Sequence, residues 1–366
     1  MSTYTVRSGD SLSRIAMRNF GTAARWREIA DLNGIPDPSR IRVGQVLVLP
    51  QEETPEKSTR REDVIITEEG KRVFYRYAGS AAKRELGKKF KKGLFRIGKQ
   101  SPEEFLEANG RYLARLKLSK SEVSALLATS ENEGNLDAVN TWDNSFMSFG
   151  MFQWTLGARG DKGELPALMK RVQQEFPDAF EQYAGQFGVR VSADTDGRYG
   201  YLIHNGKKID TAAEKGFFRS HSSAYRFAIA GTDKRVNAVQ VLHAISRFDW
   251  FFFNTEAKLG GYRLCDLLTS EYAASLLLDN HVNRPGYVLP CVARAAQQTG
   301  RTFRQLAEGS DADESRLIKQ YLAVRESYGR SPMTHAAQRA LVTKKYVDTG
   351  RISAKRGSFK SNSDRR

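Results

Sequence analysis

The sequence predicts an α+β protein with more than one structural unit. Its 366 residues exceed what a single hydrophobic core usually organises. The first 50 residues carry strand and helix patterns in the order βααβ, and apolar residues recur at helical spacing from Ser101 to about Gly329. Strand and turn signals between Asn140 and Ile209 interrupt that helical spacing. We therefore expect a small N-terminal domain, a linker, and a mainly helical domain with a small antiparallel sheet.

The composition is that of a folded protein with a strongly basic surface. Hydrophobic residues make up 40% of the chain and charged residues 27%, which excludes a disordered or collagen-like chain. The net charge of +16 favours contact with polyanions, namely nucleic acid, anionic lipid or acidic polymers of a cell envelope. Because no nucleic-acid-binding motif is present, we expect no specific nucleic-acid partner.

Residues 2–50 form the predicted N-terminal domain. A short strand from Tyr4 is followed by a Gly-Asp turn and a helix, with Asp10 or Ser11 as its N-cap. A second helix is predicted over 24–33, ended by Asn33-Gly34, and a returning strand over 46–49 precedes Pro50.

This segment resembles a LysM domain over nearly its whole length. The matching motifs are Tyr4-Thr5-Val6, Ser8-Gly9-Asp10-Ser11-Leu12, Ile15-Ala16, Leu32-Asn33-Gly34 and Gly44-Gln45-Val46-Leu47-Val48-Leu49-Pro50. The resemblance implies binding of N-acetylglucosamine-containing glycans such as peptidoglycan or chitin. It also implies that the sugar lies against two loops, whose residues are Gly9, Asp10, Ser11, Leu12, Asn33, Gly34 and Ile35. Gly9 and Asp10 are expected to form the turn and cap the helix as well.

The segment 51–100 is predicted to be a linker, polar at first and then basic. Its first residues, QEETPEKSTRRED, cannot bury enough apolar surface to fold alone. Eight lysines and arginines against the single acid Glu85 lie between Lys83 and Lys99, with apolar residues interleaved. They predict either a solvated basic connector or a contact with an anionic envelope surface. Residues 331–366 are predicted to form a basic, flexible C-terminal tail.

The domain predicted over 101–330 contains a carboxylate pair at a helix end. Ser119 and Glu122 have the spacing of a capping box, and the helix that they begin must end near Gly134, after Glu131 and Glu133. The next segment, AVNTWDNSFMSFGMFQW, alternates like strands around a turn. A Glu beside a small sheet suits glycosidic cleavage, in which a carboxyl of raised pKa protonates the leaving oxygen.

These residues resemble the lysozyme-like superfamily, which includes soluble lytic transglycosylases, goose-type and phage-type lysozymes, and chitosanases. The segment from Glu131 to Asn135 is similar to the transglycosylase Glu-Ser-Gly-Gly-Asn segment, in which the first Glu is the acid. The segment 148–153 is similar to the Gly-Leu-Met-Gln segment that lines the same cleft. The resemblance implies that Glu131 is the catalytic acid. Glu133 stands where the family usually has Gly, so either carboxylate remains a candidate.

Further site residues follow from the same comparison and from clustering of polar groups. Asp143 and Ser148 resemble the pair that holds the attacking water in chitosanases and phage-type lysozymes; the alternative is an ordinary turn residue and a strand hydroxyl. The expected substrate-binding residues are Gln153, Asn140, His281, Asn283 and Arg284. The last three follow an apolar helix over 273–278, where a polar turn is the competing interpretation.

Several kinds of site are not expected. The five histidines show no metal-ligand spacing and no phosphate-cradling glycine loop occurs, so neither a metal nor another cofactor is predicted. Cys265 and Cys291 are too few for a disulfide framework, and a single bridge between them stays open. The start lacks a signal-peptide core, and no apolar run approaches about 20 residues. Work at the cell wall then implies delivery by phage lysis, a phage particle or a specialised secretion system.

The predicted function is cleavage of peptidoglycan glycan strands, as a muramidase or a lytic transglycosylase, with the LysM domain as wall anchor. One alternative is a non-catalytic peptidoglycan-binding component of a phage tail or contractile secretion device. The other is a chitosanase or chitinase. Peptidoglycan is the predicted partner, and delivery machinery and an immunity protein are further candidates.

Overall fold

The computed structural model describes residues 3–7, 9–20, 26–50, 64–110, 113 and 116–362. It confirms the α+β class, with antiparallel sheets and many helices. The structure has two hydrophobic cores, and no residue belongs to both. The smaller core lies between Val6 and Leu49, and the larger core runs from Val73 to Ile352. Ser8 of the LysM motif and the start of the second predicted helix lie outside the described residues.

The N-terminal unit has the predicted βααβ order. Its elements are β1 (Thr3–Thr5), α1 (Leu12–Phe20), α2 (Trp26–Leu32) and β2 (Val46–Val48). The two strands pair antiparallel, with Thr3 opposite Val48. Ile15 and Ile29, one from each helix, are completely buried against Leu47 of β2. Burial of these apolar faces stabilises helices that are too short to form alone.

A seven-stranded antiparallel sheet runs through the second unit in sequence order. Its strands are β3 (Val64–Glu69), β4 (Arg72–Tyr77), β5 (Arg84–Phe90), β6 (Gly93–Arg96), β7 (Val139–Asn140), β8 (Ser148–Phe149) and β9 (Trp154–Thr155). Phe95 of β6 lies opposite Asn140 of β7, so the first four strands continue directly into the strands that follow Glu131.

The predicted linker over 51–100 is therefore wrong from residue 64 onward; residues 51–63 lie outside the described part of the chain. Val73, Leu86 and Leu94 are completely buried on one face of the sheet, and this alternation was hidden by the many lysines on the other face and in the turns. Glycines in this segment permit close contact between strands. A Cβ on Gly87 would lie 2.7 Å from the Phe95 carbonyl oxygen.

The remaining elements are mostly helical. The helices are α3 (Pro102–Ala108), α4 (Lys120–Ser130), α5 (Leu165–Glu175), α6 (Pro177–Tyr183), α7 (Ala212–Lys215), α8 (His221–Ala230), α9 (Lys234–Phe251), α10 (Leu264–Leu267), α11 (Glu271–Asn283), α12 (Val288–Thr299), α13 (Phe303–Ala307), α14 (Asp311–Ser327) and α15 (Ala336–Asp348). A three-stranded sheet contains β10 (Val189–Val191), β11 (Leu202–His204) and β12 (Lys207–Lys208). In the described part of the chain, no helix is both long and apolar enough to cross a membrane.

The predicted flexible tail over 331–366 is also wrong for the residues that the structure describes, which end at 362. Helix α15 packs on the larger core, with Tyr346 only 5% exposed. Beyond it, the Phe359 ring centroid lies 5.0 Å from that of Phe248. The high density of basic residues concealed the few apolar and aromatic side chains that anchor this segment. No disulfide joins Cys265 and Cys291.

Candidate functional site

The first predicted glycan-binding loop, Gly9 to Leu12, is organised by Asp10. The Asp10 carboxylate accepts hydrogen bonds from the Tyr4 hydroxyl and the Arg7 backbone N–H, each at 2.8 Å. Ser11 Oγ accepts from the Arg14 backbone N–H at 3.3 Å, as an N-cap residue does. The Leu12 side chain is buried in the small core and thereby attaches the loop to that core.

The second predicted loop, Asn33 to Ile35, is tied to the returning strand. Asn33 donates to the carbonyl oxygens of Ile29 and Val48 and accepts from the Val48 N–H, all at 2.7 Å. Its amide is therefore occupied in joining α2 to β2. Gly34 has φ +60° and is exposed, and Ile35 packs against the core. The backbone of these two loops, more than the Asn33 side chain, is available to a sugar.

The helix that leads to the carboxylate pair begins as predicted. Ser119 Oγ accepts from the Glu122 N–H at 3.0 Å, and the Glu122 carboxylate accepts from the Ser119 N–H at 2.8 Å. Helix α4 ends at Ser130, and Glu131 is its C-cap residue. Glu131 is exposed, and its Oε1 accepts a hydrogen bond of 2.9 Å from the hydroxyl of Tyr346 on α15. Burial and this carboxylate raise the pKa of Tyr346, so its hydroxyl stays protonated and donates.

Glu133 lies in a buried ionic network. Its carboxylate pairs with Arg339 on α15, and Arg339 also contacts Asp279 of α11 at 2.6 Å. Arg325 lies 3.4 Å from the other oxygen of Asp279. Burial raises the pKa of Glu133, although Arg339 opposes that shift. The network thus combines two carboxylates and two guanidinium groups, and it fixes the turn that follows α4.

The turn 150–153 is held against the end of the α4 loop. The Gly150 N–H donates to the Ala138 carbonyl oxygen at 2.9 Å, and a Cβ on Gly134 would lie 4.0 Å from Gln153 Nε2. Gln240 of α9 joins the two segments. It accepts from the Met151 N–H at 3.1 Å and donates to the Leu136 carbonyl oxygen at 2.9 Å. The structure therefore brings the Glu131 segment and the predicted cleft segment together.

Asn140, Asp143 and Ser148 form one hairpin. Asn140 Nδ2 donates to Asp143 Oδ2 at 3.0 Å, and the Ser145 N–H donates to Asp143 Oδ1 at 2.9 Å. Asn140 and Ser148 are cross-strand partners, and Ser148 is buried. Arg219 braces the turn by donating to the Asp143 carbonyl oxygen at 2.6 Å. Asp143 thus stabilises the turn, and each of its carboxylate oxygens already accepts one hydrogen bond within the hairpin.

The predicted polar cluster of His281, Asn283 and Arg284 makes most of its contacts with other residues of the protein. His281 is buried, stacks on Phe251 at 4.4 Å between ring centroids, and accepts from Arg247 Nη1 at 3.0 Å. Burial holds the pKa of His281 well below its usual value, so the ring is neutral. Arg284 donates to the Ser331 carbonyl oxygen at 3.0 Å, which ties the helix end to a later segment. Asn283 Oδ1 is buried and has no hydrogen-bond partner among the described residues.

Sequence reasoning missed a second buried cluster around Arg247. Arg247 pairs with Glu164, and His243 Nε2 lies 3.3 Å from Glu164 Oε1. Burial raises the pKa of Glu164, but Arg247 and His243 lower it by more, so the carboxylate is ionised. Arg247 also lowers the pKa of Glu133, which places both carboxylates in the field of one guanidinium. The sequence signal for this cluster was the spacing of His243 and Arg247, which are four residues apart and lie on one face of helix α9.

In the described residues, no group of three or more His, Cys, Asp or Glu side chains is arranged to hold a metal ion. The side chains gathered at the end of α4 are carboxylates, guanidinium groups, amides and hydroxyls. Such a set can transfer protons and bind polar polymers.

Comparison with known proteins identifies the N-terminal unit. Residues 4–50 match the LysM domain family. The chain is 54% identical over 46 residues to an esterase of Mycobacterium tuberculosis, covering 13% of this chain and 10% of the esterase. It is 45% identical over 47 residues to an uncharacterized protein of Deinococcus radiodurans, covering 13% of this chain and 19% of that protein. No solved structure matches the chain.

The N-terminal unit is thus a LysM domain, a module that binds peptidoglycan and related N-acetylglucosamine glycans. The chain spans about a tenth of the length of the esterases that it matches, and the shared part is of the length of this one domain.

Proposed function

We propose that the chain cleaves the glycan strand of peptidoglycan, as a muramidase or a lytic transglycosylase, and that its LysM domain holds it at the wall. The observation that carries this proposal is the exposed carboxylate of Glu131 at the end of α4, hydrogen-bonded at 2.9 Å to Tyr346. It belongs to the segment whose Ala138 carbonyl oxygen accepts from the Gly150 N–H of the turn 150–153. A proton donor next to a small sheet is the arrangement that glycosidic cleavage uses.

Glu131 is the proposed acid, and Glu133 is proposed to support it. A polymeric substrate can reach Glu131 because that side chain is exposed, whereas the Glu133 carboxylate is bound to Arg339 and mostly buried. The Glu133 network fixes the backbone that carries Glu131, since Arg339 also donates to the Asn132 carbonyl oxygen at 3.1 Å. Asp143 and Ser148 are the proposed holders of water, and Gln153 and Asn140 are proposed to contact the sugar.

The LysM domain raises the concentration of the catalytic unit near its substrate. Tethering turns the second encounter into an intramolecular event, with effective concentrations in the millimolar range for short flexible linkers. The basic charge of the chain adds a salt-sensitive attraction to acidic wall polymers.

Mass spectrometry of the products released from purified sacculi tests the reaction type. Reducing-end muropeptides indicate a muramidase, and 1,6-anhydro products indicate a lytic transglycosylase. The same incubation with chitin and chitosan tests the substrate, and release from chitosan in preference to sacculi would replace peptidoglycan by a chitosan-type substrate. Absence of products from all three polymers would contradict the proposal.

A non-catalytic wall-binding role is the second candidate, and one observation favours it. Both carboxylates at the end of α4 already have partners, Tyr346 for Glu131 and Arg339 for Glu133. In that case the ionic network only stabilises the fold. Binding to sacculi without product release is the result that this second candidate predicts.

A further inference from the structure

An aromatic and basic pocket lies on the outer face of the seven-stranded sheet, in the region that the sequence marked as a basic linker. It has a volume of about 350 Å³ and is lined by Lys71, Lys88, Lys89, Phe90, Phe95 and Trp142. Phe90 is 47% exposed and Phe95 43% exposed. Exposed aromatic side chains grouped in a concavity are typical of a ligand-binding surface.

The aromatic rings of this pocket form a corner against which the flat apolar face of a ligand can pack. Phe90 and Trp142 meet edge to face, with centroids 4.8 Å apart and planes at 78°. The Lys91 ammonium lies over the Trp142 ring, 4.7 Å from its centroid, and over the Phe90 ring, 5.5 Å from that centroid. A corner of this shape accommodates a pyranose ring better than it does a row of stacked bases or the plane of a membrane.

The charge around the pocket is positive. Lys89 is paired with Glu68 at 2.6 Å, but Lys71, Lys88 and Lys91 form no ion pair with any described residue. The ammonium groups of Lys71 and Lys88, at the edge of an aromatic corner, complement a carboxylate attached to a sugar.

The pocket shares a sheet face with the proposed catalytic hairpin. Lys88 lies opposite Phe95, Phe95 opposite Asn140, and Asn140 opposite Ser148. Directly paired residues of an antiparallel sheet point to the same face. One row of side chains therefore leads from the lysines and aromatic rings to the hairpin that contains Asp143.

We propose that this pocket binds a carboxylate-bearing segment of the glycan strand, namely a sugar of peptidoglycan together with the acidic groups of its peptide stem. The sugar ring packs on Phe90, Phe95 and Trp142, and Lys88 and Lys71 pair with the carboxylates. The choice of peptidoglycan as the ligand rests on the proposed function, whereas the pocket itself is tested by binding alone.

The test measures affinity by calorimetry with the full-length chain in the Glu131→Gln background. The ligands are a soluble peptidoglycan fragment with free stem carboxylates and an uncharged N-acetylglucosamine oligomer of equal length. Lys88→Glu and Phe95→Ala are expected to weaken binding of the acidic fragment about fivefold or more. Binding of the neutral oligomer, which the LysM domain accepts, is expected to stay unchanged.

Lys207→Glu on β12 is the matched control, since it makes the same charge change at another exposed strand position. Equal affinity of Lys88→Glu and the parent for the acidic fragment would overturn the proposal. So would an equal loss in Lys207→Glu, which would indicate only the general field of the protein. Loss of poly(glycerol phosphate) or DNA binding in Lys88→Glu, with the acidic fragment unaffected, would also overturn the assigned ligand. Product release from sacculi is measured separately, so failure of the cleavage proposal leaves this comparison interpretable.

Discussion

Glu131 and Glu133 are two residues apart and have opposite environments. Glu131 is exposed and bonded to a neutral hydroxyl, and Glu133 is buried in a network of two carboxylates and two guanidinium groups. The sequence could supply the pair but could not assign the roles, because Arg339 and Tyr346 lie more than 200 residues away along the chain. Only the packing of α15 on α4 brings these partners together.

Removing the shared cation of this network is predicted to destabilise the fold. Arg339→Met leaves Glu133 and Asp279 buried with one fewer guanidinium, and breaking such a pair typically costs about 3–5 kcal/mol. Chemical denaturation of the variant and the parent measures the difference in the free energy of unfolding. Lys344→Met on the same helix breaks an exposed ion pair with Asp348 and is the matched control, with an expected change below about 1 kcal/mol. Equal effects of the two substitutions would contradict the network.

The buried neutral His281 predicts a loss of stability on the acid side. Its pKa is lowered in the folded state, so below about pH 6.5 the unfolded chain takes up a proton that the folded chain does not. Its contribution is therefore present above that pH and is lost as the pH falls. His281→Asn is expected to reduce the slope of the free energy of unfolding against pH, by up to about 1.4 kcal/mol per unit. Denaturation at several pH values measures the slope for each protein. Identical slopes for variant and parent would contradict the predicted role of His281.

At the scale of elements, the sequence predicts the features that depend on neighbouring residues but not the pairing of distant strands. The capping box at Ser119 and the βααβ order of residues 2–50 depend on neighbouring residues, and the structure has both. The sequence predicts a linker where strands lie over 64–96, because their buried positions, such as Val73 and Leu86, are separated by charged residues. Their pairing with β7 joins segments more than 40 residues apart, which spacing along the chain does not reveal.

The close contact between β6 and the strand that follows α4 gives a test of this sheet. A Cβ on Gly93 would collide with Thr141, so Gly93→Ala is predicted to destabilise the second unit by about 1–3 kcal/mol. Thermal unfolding measures the change. Gly110→Ala is the control, since a Cβ there meets no atom of a described residue within 4 Å. A Gly93→Ala variant as stable as the parent would indicate that residues 64–96 do not belong to the sheet.

At the scale of the whole molecule, the LysM domain and the larger unit have separate hydrophobic cores. A chain beginning at residue 51 is therefore expected to keep its activity on soluble glycan fragments and to lose activity on intact sacculi through weaker wall binding. Co-sedimentation with sacculi and product release from both substrates measure the two effects. Equal sacculus binding with and without residues 2–50 would contradict the anchoring role.

Glu131 is the residue on which the proposed cleavage depends most directly. The deciding measurement is the release of soluble glycan fragments from purified sacculi by the parent chain and by Glu131→Gln, at matched sacculus binding and thermal stability. We predict release by the parent and a loss of at least about a hundredfold in the variant, in line with removal of a general acid. Equal release by the two proteins would contradict the assignment of Glu131 as the acid.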